Sequence, residues 1–385
     1  MKPNTLKPGA MIFFTLFSYS LAAQKINVVT TAVPFLRIAP DARAAGMGDL
    51  AISTSPDINS IYWNAGKITF NENTGGVSFS YTPWLNDIVK DVYLAALAGY
   101  YKWEDQQAIS GSLRYFSLGN IQFTDAAGQD LNTFRPSEFG IDMAYSRKLS
   151  KRSGLGLGLK YIYSNLAEGV AAGNTYKAAS SLAADIAYYF NGHDPKGKGW
   201  SFGAVMSNLG AKIAYTENAD QKDFIPANLG IGTTYTWVFN KSNKLSLGVD
   251  LNKLLVSTPP ADPISSQQLA DYRSKSVVSS WFTSFGDAPG GFSEEMKEVQ
   301  ISIGGEYIYN DQFALRAGYF HEDKTKGDRS YFSIGTGINY KNLGFDFSYL
   351  APSGSGINRN PLSNTLRFSV HFNFNGNNGT AVFNE

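Results

Sequence analysis

The chain has 385 residues, a net charge of +1 and no cysteine. Without cysteine it can form no disulfide, no zinc–thiolate site and no thiol nucleophile. Its nearly balanced charge produces no strong field for nucleic acid, so a nucleic-acid partner is not expected. The length is enough for one large domain or two of ordinary size.

The amino terminus has the order of a secretory signal peptide. Lys2 and Lys7 precede the apolar run Ala10–Phe17, and small residues follow at Ser20–Ala23. A basic region, a short apolar region and a small-residue cleavage site predict that residues 1–23 are a removable signal peptide and that the protein leaves the cytoplasm. The alternative is a buried N-terminal helix.

Residues 24–73 contain no period-two run, and we predict that they fold as an N-terminal plug inside a barrel. They are rich in alanine and glycine, and small residues let one backbone approach another closely. Asp41 is expected to cap a short helix over Ala42–Ala45. Gly46 and Gly48 are expected to end that helix.

A second short helix is predicted in the same segment. Ser55 could cap a turn that starts at Pro56, runs to Trp63 and closes at Gly66. The alternative for the whole segment is a periplasmic tail outside the barrel.

Residues 74–375 are predicted to form an all-β fold, a transmembrane antiparallel β-barrel of about fourteen strands. In Thr365–Phe374, for example, Leu366 and Phe368 alternate with Arg367 and other polar residues, as on the two faces of a strand. Each segment covers roughly the 9–11 residues with which a tilted strand crosses a bilayer. The predicted spans are 74–84, 90–101, 106–119, 137–149, 154–166, 178–190, 199–211, 224–239, 244–256, 298–310, 312–321, 329–341, 342–351 and 364–374.

Short and long links alternate between the predicted strands. The links at 102–105 and 150–153 are short, whereas 120–136 and 257–297 are long. Outer-membrane barrels have short periplasmic turns and longer extracellular loops, so the loop 257–297 is predicted to be external and the tail 376–385 periplasmic. A secreted β-sandwich is the alternative, but it has no reason to sort its loops in this way.

The two faces of the predicted strands indicate which side meets lipid. The leucine, phenylalanine, valine and tyrosine rows face lipid, and the polar rows line a wet lumen. Interior charges usually pair with one another, and Asp41, Arg43 and Asp49 of the plug are the expected partners for the wall. A conduction path lined by charge is the alternative. The predicted lumen charges are Asp142, Lys160, Asp185, Asp250, Glu306, Arg316, Asp346 and Arg367.

The plug segment resembles a known family. Its stretch Ala39–Asp49 (APDARAAGMGD), followed by Ser55–Asp57 and Ser60–Asn64 (SIYWN), is similar to the N-terminal signature of the PorV family. These are outer-membrane proteins of the type IX secretion system of Bacteroidota, distantly related to the fourteen-stranded FadL-type fatty-acid transporters, which also have an N-terminal hatch. The motif positions are Asp41, Arg43, Gly46, Gly48, Asp49, Pro56, Trp63 and Asn64.

The resemblance implies a role in protein secretion at the bacterial outer membrane. PorV-like proteins associate with a large translocon barrel and receive cargo that carries a C-terminal signal domain. They pass the cargo to a sortase complex, which attaches it to lipopolysaccharide. No cofactor is expected, and outer-membrane lipid and lipopolysaccharide are expected contacts. The alternative is a FadL-like transporter of hydrophobic small molecules.

The long loop 257–297 is the candidate docking site for the translocon or the cargo. Ser265 or Ser266 could cap a helix that the glycines from Gly286 onward would end. Exposed aromatic patches mark interaction sites, although the helix could instead pack on its own barrel rim. The apolar residues at helical spacing are Leu269, Tyr272, Val278, Trp281, Phe282 and Phe285.

Catalysis is not expected. The three histidines, His193, His321 and His371, fall at different predicted heights of the barrel. They therefore predict neither a Ser-His-acid cluster nor a histidine metal site.

Overall fold

The computed structural model describes residues 27–84, 90–124, 128–171, 174–217, 222–260, 265–352 and 364–374. Fourteen antiparallel strands form one closed barrel in chain order, and the last strand pairs with the first. The predicted fold class is therefore confirmed. The predicted signal peptide 1–23 and tail 376–385 lie outside the described residues.

Each predicted span corresponds to one barrel strand, with ends that differ by a few residues. Closure leaves no free sheet edge, so every strand satisfies its backbone hydrogen bonds with two neighbours. The strands are β1 Gly75–Pro83, β2 Val92–Glu104, β3 Gln107–Leu118, β4 Ser137–Lys148, β5 Ser153–Asn165, β6 Ala179–Asn191, β7 Gly199–Gly210, β8 Asn228–Asn240, β9 Asn243–Leu254, β10 Gln300–Tyr309, β11 Phe313–His321, β12 Ser330–Tyr340, β13 Leu343–Pro352 and β14 Leu366–Phe374.

The remaining elements belong to the N-terminal segment and to the loops. The helices are α1 Ala42–Ala45, α2 Ser60–Trp63, α3 Ser266–Ser274, α4 Val277–Thr283 and α5 Phe292–Glu295, with 3₁₀ turns at Pro34–Arg37, Ala65–Phe70 and Met296–Glu298. Short ribbons pair Ile121–Thr124 with Asp130–Phe134, Gly169–Ala171 with Asn174–Tyr176, and Ile213–Ala214 with Lys222–Asp223. Within the described residues no helix combines the length and apolarity needed to span a membrane.

The period-two pattern separates the inside of the barrel from its outside. On β4, Met143 is 71% exposed while its neighbour Asp142 is only 5% exposed. The exposed outer row of the same strand continues through Ile141 and Tyr145. Large apolar side chains can cover the outer face of a barrel in this way only where hydrocarbon, not water, surrounds it.

The two ends of the barrel differ in their connections. We call them the short-turn end and the long-loop end. At the short-turn end, β10 turns into β11 through residues 310–312. Asn310 and Asp311 both have positive φ, as the central residues of a type I′ turn do. At the long-loop end lie the ribbons and the helices of the 257–297 loop.

The N-terminal segment runs through the barrel from one end to the other. The Asn27 N–H donates to the Thr325 carbonyl at the long-loop end, and the Thr74 N–H donates to the Phe374 carbonyl at the short-turn end. Between these points the segment contacts the inward face of the wall, and we call residues 27–73 the plug. Its apolar residues Phe35 and Leu36 pack with Phe116 and other inward residues of the wall.

The second plug helix begins later than the sequence predicts. Helix α2 starts at Ser60 and not at Pro56, and the following residues form a separate 3₁₀ turn. The cause is local hydrogen bonding: the Ser60 hydroxyl donates to Asp57 Oδ1 and accepts from the Asp57 N–H. Ser55 does not act as a cap, because its carbonyl and hydroxyl accept from Arg43.

Residues 265–285 of the long loop form two helices where the sequence predicts one. Helix α3 has the capping box of Ser265 with Gln268, but Lys275 is extended and ends it. The side chain of Lys212 donates to the carbonyls of Arg273 and Lys275, at 2.7 Å each. This cation replaces the helical partners of those carbonyls and allows the chain to bend.

Candidate functional site: the plug, the lumen wall and the long loop

The first plug helix is fixed by Asp41. Its carboxylate accepts from the Ala44 N–H at 2.9 Å and from Trp63 Nε1 at 2.7 Å. A cap of this kind satisfies one of the free N–H groups at a helix start. Asp41 is thus bonded within the plug, whereas the sequence suggests the wall as its partner. The Ala42 N–H makes the wall contact, to Ser369 Oγ at 2.9 Å.

Arg43 joins the plug to the wall through a buried chain of charges. It donates from Nε and Nη2 to the two oxygens of Glu306, at 3.0 and 2.8 Å. Arg316 donates to the same Glu306 carboxylate and to Asp346, both at 2.7 Å. A fork-to-fork pair holds both partners in orientation as well as in position, so it fixes the height of α1 in the lumen. Arg43 also bonds Asp57 of the plug at 2.8 Å.

Glycines allow the plug backbone to touch the wall after α1. Gly48 has φ +70°, and its N–H donates to Ser333 Oγ at 2.8 Å. A Cβ on Gly318 of the wall would lie 2.0 Å from the Met47 carbonyl carbon, which is impossible without movement. A Cβ on Gly46 would lie 3.1 Å from Gly335 Cα. The glycines therefore permit direct contact of two backbones.

Two acidic residues bind the middle of the plug to the wall. Asp49 accepts from the Tyr331 hydroxyl at 2.6 Å. On β9, Asp250 accepts from the N–H groups of Ala51 and Ile52, at 2.7 and 2.8 Å. Because buried N–H groups need acceptors, these contacts replace the hydrogen bonds that an irregular segment lacks.

The rest of the plug motif forms the short-turn half of the plug. Asn64 donates to the carbonyls of Ile52 and Tyr188 at 2.9 Å, and it accepts from the Gly66 N–H. Trp63 is half-buried and lies beside a cavity. Pro56 lies in the irregular stretch before α2 and makes no helix start.

The remaining predicted lumen charges also face inward. Lys160 lies 3.1 Å from both Asp142 and Asp185. Arg367 is 2% exposed, and within the described residues its Nε and Nη1 have no acceptor. All eight predicted lumen residues are therefore on the inner face, and seven of them form a hydrogen bond or an ion pair with the wall or the plug.

Sequence reasoning missed several inward residues. Arg114 on β3 and Glu138 on β4 are buried and occupy inward positions of the alternation, so the period-two pattern itself could have identified them. Lys67 of the plug donates to the Ala51 carbonyl at 2.6 Å. No periodic signal marks Lys67, because its environment depends on how the plug folds.

Charged residues clamp the long loop to the barrel rim. Lys253 lies 3.0 Å from Glu295 and 2.6 Å from Glu298. Lys326, in the next loop, lies 3.0 Å from Glu298. Several charges in one network hold geometry better than an isolated surface pair does, so the loop is anchored at its C-terminal end.

The candidate docking residues divide into two groups. Tyr272 is half-buried and packs edge-to-face on Phe224, with ring centroids 5.8 Å apart; Leu269 and Trp281 are half-buried as well. Phe282 is 72% exposed, and Val278 and Phe285 are also exposed. Two residues that the sequence analysis did not single out, Phe292 (79% exposed) and Met296, extend this surface. We call Val278, Phe282, Phe285, Phe292 and Met296 the apolar loop surface.

An acidic residue at the long-loop end holds two arginines. Glu322 accepts from Arg37 of the plug at 3.0 Å and from Arg329 at 2.7 and 3.1 Å. Burial would raise the pKa of Glu322, but the two guanidinium groups outweigh it and hold the pKa below its usual range. Burial, with the nearby charge of Arg329, lowers the pKa of Arg37 to about 10.

His321 and His371 lie at opposite ends of the barrel. His371 Nδ1 lies 3.3 Å from Asp346, and its Nε2 lies 3.1 Å from Asn339 Oδ1. His321 lies 3.1 Å from the Ser330 hydroxyl at the other end of the barrel. Among the described residues no cluster of three or more histidine, aspartate and glutamate side chains could hold a metal ion.

These features define a class: an outer-membrane β-barrel whose lumen is filled by its own N-terminal segment. Comparison with known families gives the particular one. Residues 21–261 match the family described as "Type IX secretion system protein PorV". The chain belongs to this family, and it is an outer-membrane component of type IX secretion. The family resemblance of the plug segment is thereby confirmed.

Solved structures support the same barrel type. The chain is similar to the monoaromatic hydrocarbon channel CymD, with 11% identity, a TM-score of 0.53, and coverage of 88% of this chain and 98% of that one. It is also similar to the Ralstonia pickettii toluene transporter TbuX, with 10% identity, a TM-score of 0.52, and coverage of 87% and 98%. The Pseudomonas putida toluene transporter TodX is also similar, with 10% identity and a TM-score of 0.52. The match covers 90% of this chain and 98% of that one. At such identities the likeness shows the fold alone. No curated protein matches the chain.

Proposed function

We propose that this barrel is a docking component of type IX secretion that works on its outer surface and not through its lumen. In this proposal it binds the large translocon barrel. It receives cargo through the cargo's C-terminal signal domain and delivers it to the sortase complex at the cell surface. The signal peptide 1–23 and the external position of the loop 257–297 are part of the same proposal.

The filled lumen is the observation that carries this proposal. Arg43, Asp49 and Asn64 bond the plug to the wall at three heights. The cavity between plug and wall has a volume of about 110 Å³, which is less than a cavity that holds benzene, at roughly 150 Å³. A polypeptide does not fit such a space, which supports the proposal that cargo is handled outside the barrel.

The apolar loop surface supports docking at the long-loop end. Its side chains are exposed on a loop that ion pairs hold against the rim. Burying a phenylalanine that is now exposed contributes on the order of 1.5–3 kcal/mol to an interface. A rigid apolar surface of this kind suits a protein partner, because little order has to be gained on binding.

The alternative function is transport of hydrophobic small molecules, as the names of the structural neighbours describe for those proteins. Such transport requires a continuous apolar path. The cavity here is lined by Arg37, Arg114 and Arg329 as well as by apolar residues, and charged groups cover much of the inner wall. The described residues therefore favour docking over hydrocarbon transport.

Purification from native membranes tests the proposal. A tagged chain should co-purify a much larger barrel protein, and the variant with Phe282→Ser and Phe285→Ser should lose it together with the surface delivery of cargo. Lys297→Ser, an exposed change in the same loop, should behave like the wild type. Co-purification of a hydrophobic small molecule without a partner barrel would favour the transporter. If the double variant still delivers cargo to the cell surface at the normal level, the loop 257–297 is not the docking site.

A further inference from the structure

A cavity lies between the plug and the wall in the long-loop half of the barrel. Its volume is about 110 Å³. Leu36 and Arg37 line it from the plug, and Arg114 and Arg329 line it from strand β3 and from the residue that precedes β12. A space of this size has room for several waters or for one small oxyanion.

Two of the lining arginines have one carboxylate between them. Glu322 accepts from both Arg37 and Arg329, and also from Gln300 Nε2 at 3.1 Å. Within the described residues Arg37 makes its side-chain hydrogen bond from Nη2 only. A guanidinium carries five N–H donors, so most donors of Arg37, whose side chain is 20% exposed, have no acceptor among the described residues.

The third arginine, Arg114, also lacks acceptors for part of its guanidinium group in the described part of the chain. Arg114 is 3% exposed. It donates from Nη1 to the Leu36 carbonyl at 3.1 Å and lies 3.8 Å from Asp142, which is too far for a hydrogen bond. Asp142 is already paired with Lys160 at 3.1 Å. Among the described residues the Nε of Arg114 has no acceptor, and a buried cation without enough acceptors is costly.

We propose that this cavity is a binding site for one small oxyanion, a carboxylate or a phosphate group. The ligand would accept from Arg37 of the plug and from Arg329 and Arg114 of the wall, and would so cross-link the plug to the barrel. Guanidinium groups are the preferred protein partners of both oxyanions. Three carboxylates lie beside the three arginines, namely Glu322, Asp49 and Asp142, and Asp142 is already paired with Lys160. Asp49 already accepts from Tyr331. This site is independent of the docking role.

The size and walls of the cavity limit the ligand. Leu36, Leu254 and Phe320 form part of the lining, so a short apolar group beside the oxyanion would be tolerated. The volume excludes the long chain of a fatty acid. Inorganic phosphate and acetate therefore serve as probes for free anions, and octanoate serves as a probe for the head of an amphiphile.

Thermal unfolding of the full chain in detergent tests the proposal. At constant ionic strength, replacing chloride by phosphate or acetate should raise the unfolding midpoint in a saturable way, because a ligand that binds only the folded state stabilises it. If octanoate raises the midpoint at a lower concentration than acetate does, the natural ligand is the head of an amphiphile. If the two raise it at equal concentrations, the ligand is a free anion. Midpoints that depend on ionic strength alone would overturn the site.

Variants separate this cavity from other basic positions. Arg329→Gln should weaken the apparent affinity about tenfold or more, since a hydrogen bond to a charged group is worth roughly 1.5–3 kcal/mol and 1.4 kcal/mol is tenfold. Arg135→Gln, an exposed arginine at the same end and outside the cavity lining, should leave it unchanged. Heat-modifiable migration on gels checks folding. Equal affinity of a folded Arg329→Gln variant and the wild type would refute the assignment, as would loss of affinity in Arg135→Gln alone.

Discussion

Replacing Arg43 by methionine should release the strongest bond between plug and wall. Arg43 gives two hydrogen bonds to Glu306 and one to Asp57, and its side chain is only 11% exposed. Methionine has a similar length but no charge. The variant therefore leaves the Glu306 carboxylate in the lumen with Arg316 as its remaining cationic partner.

The expected loss of stability follows from this geometry. Removing one partner of a buried ion pair costs about 3–5 kcal/mol, because the other charge remains buried. Arg316 still neutralises Glu306 at 2.7 Å, so we expect a value near the lower limit, about 3 kcal/mol. That corresponds to roughly a hundredfold change in the ratio of folded to unfolded protein.

Urea unfolding in detergent micelles measures the effect by linear extrapolation. The matched control is Lys244→Met, which breaks a pair with Asp311 that is largely exposed and should cost less than about 1 kcal/mol. The double variant Arg43→Met with Glu306→Gln should be less destabilised than the sum of the two single variants. Equal losses for Arg43→Met and Lys244→Met, or strict additivity in the double variant, would refute the reasoning.

Three further predictions concern the plug and its rim. Gly318→Ala should destabilise the barrel by about 1–3 kcal/mol through overpacking against Met47. Gly111→Ala should be tolerated, because its Cβ would lie 3.7 Å from the Asp142 carbonyl oxygen. Similar unfolding midpoints for both variants would contradict the close contact. In planar lipid bilayers the intact chain should remain closed, since the plug fills the lumen, and steady porin-like currents would argue against this. The pKa of Glu322 is lower in the folded state than in the unfolded state, where it is near 4.5. The ionised carboxylate therefore stabilises the fold above about pH 4.5, and this stabilisation is lost as the pH falls through the folded pKa. The stability difference between wild type and Glu322→Gln should shrink below about pH 4.5, and a difference that stays constant from about pH 6 to about pH 3 would contradict this prediction.

The sequence predicted the strands well because their signal is local. Leu366, Phe368 and Arg367 reveal the two faces of β14 without reference to any other strand. The same holds for the cap of α1, since Asp41 and Ala44 are three residues apart. The start of α2 was predicted wrongly, because Arg43 takes the oxygens of Ser55 that a cap would need.

Other features depend on contacts between distant residues. The break between α3 and α4 is set by Lys212, which lies about sixty positions away in the chain. Without that contact, the apolar spacing from Leu269 to Phe285 favours one continuous helix. Which of those apolar residues remain exposed is likewise decided by packing, as the burial of Tyr272 on Phe224 illustrates.

By itself, the sequence determined the number of strands, the face that each strand turns outward, and many of the charges that the lumen holds. Only the tertiary structure decided which charges meet: Arg43 and Glu306 are 263 positions apart, and the arginines of the cavity come from the plug and two separate parts of the wall. The physical reason is that alternation is a property of one extended segment. The charges inside the lumen can pair only after the barrel has closed and the plug has reached its final position along the barrel axis.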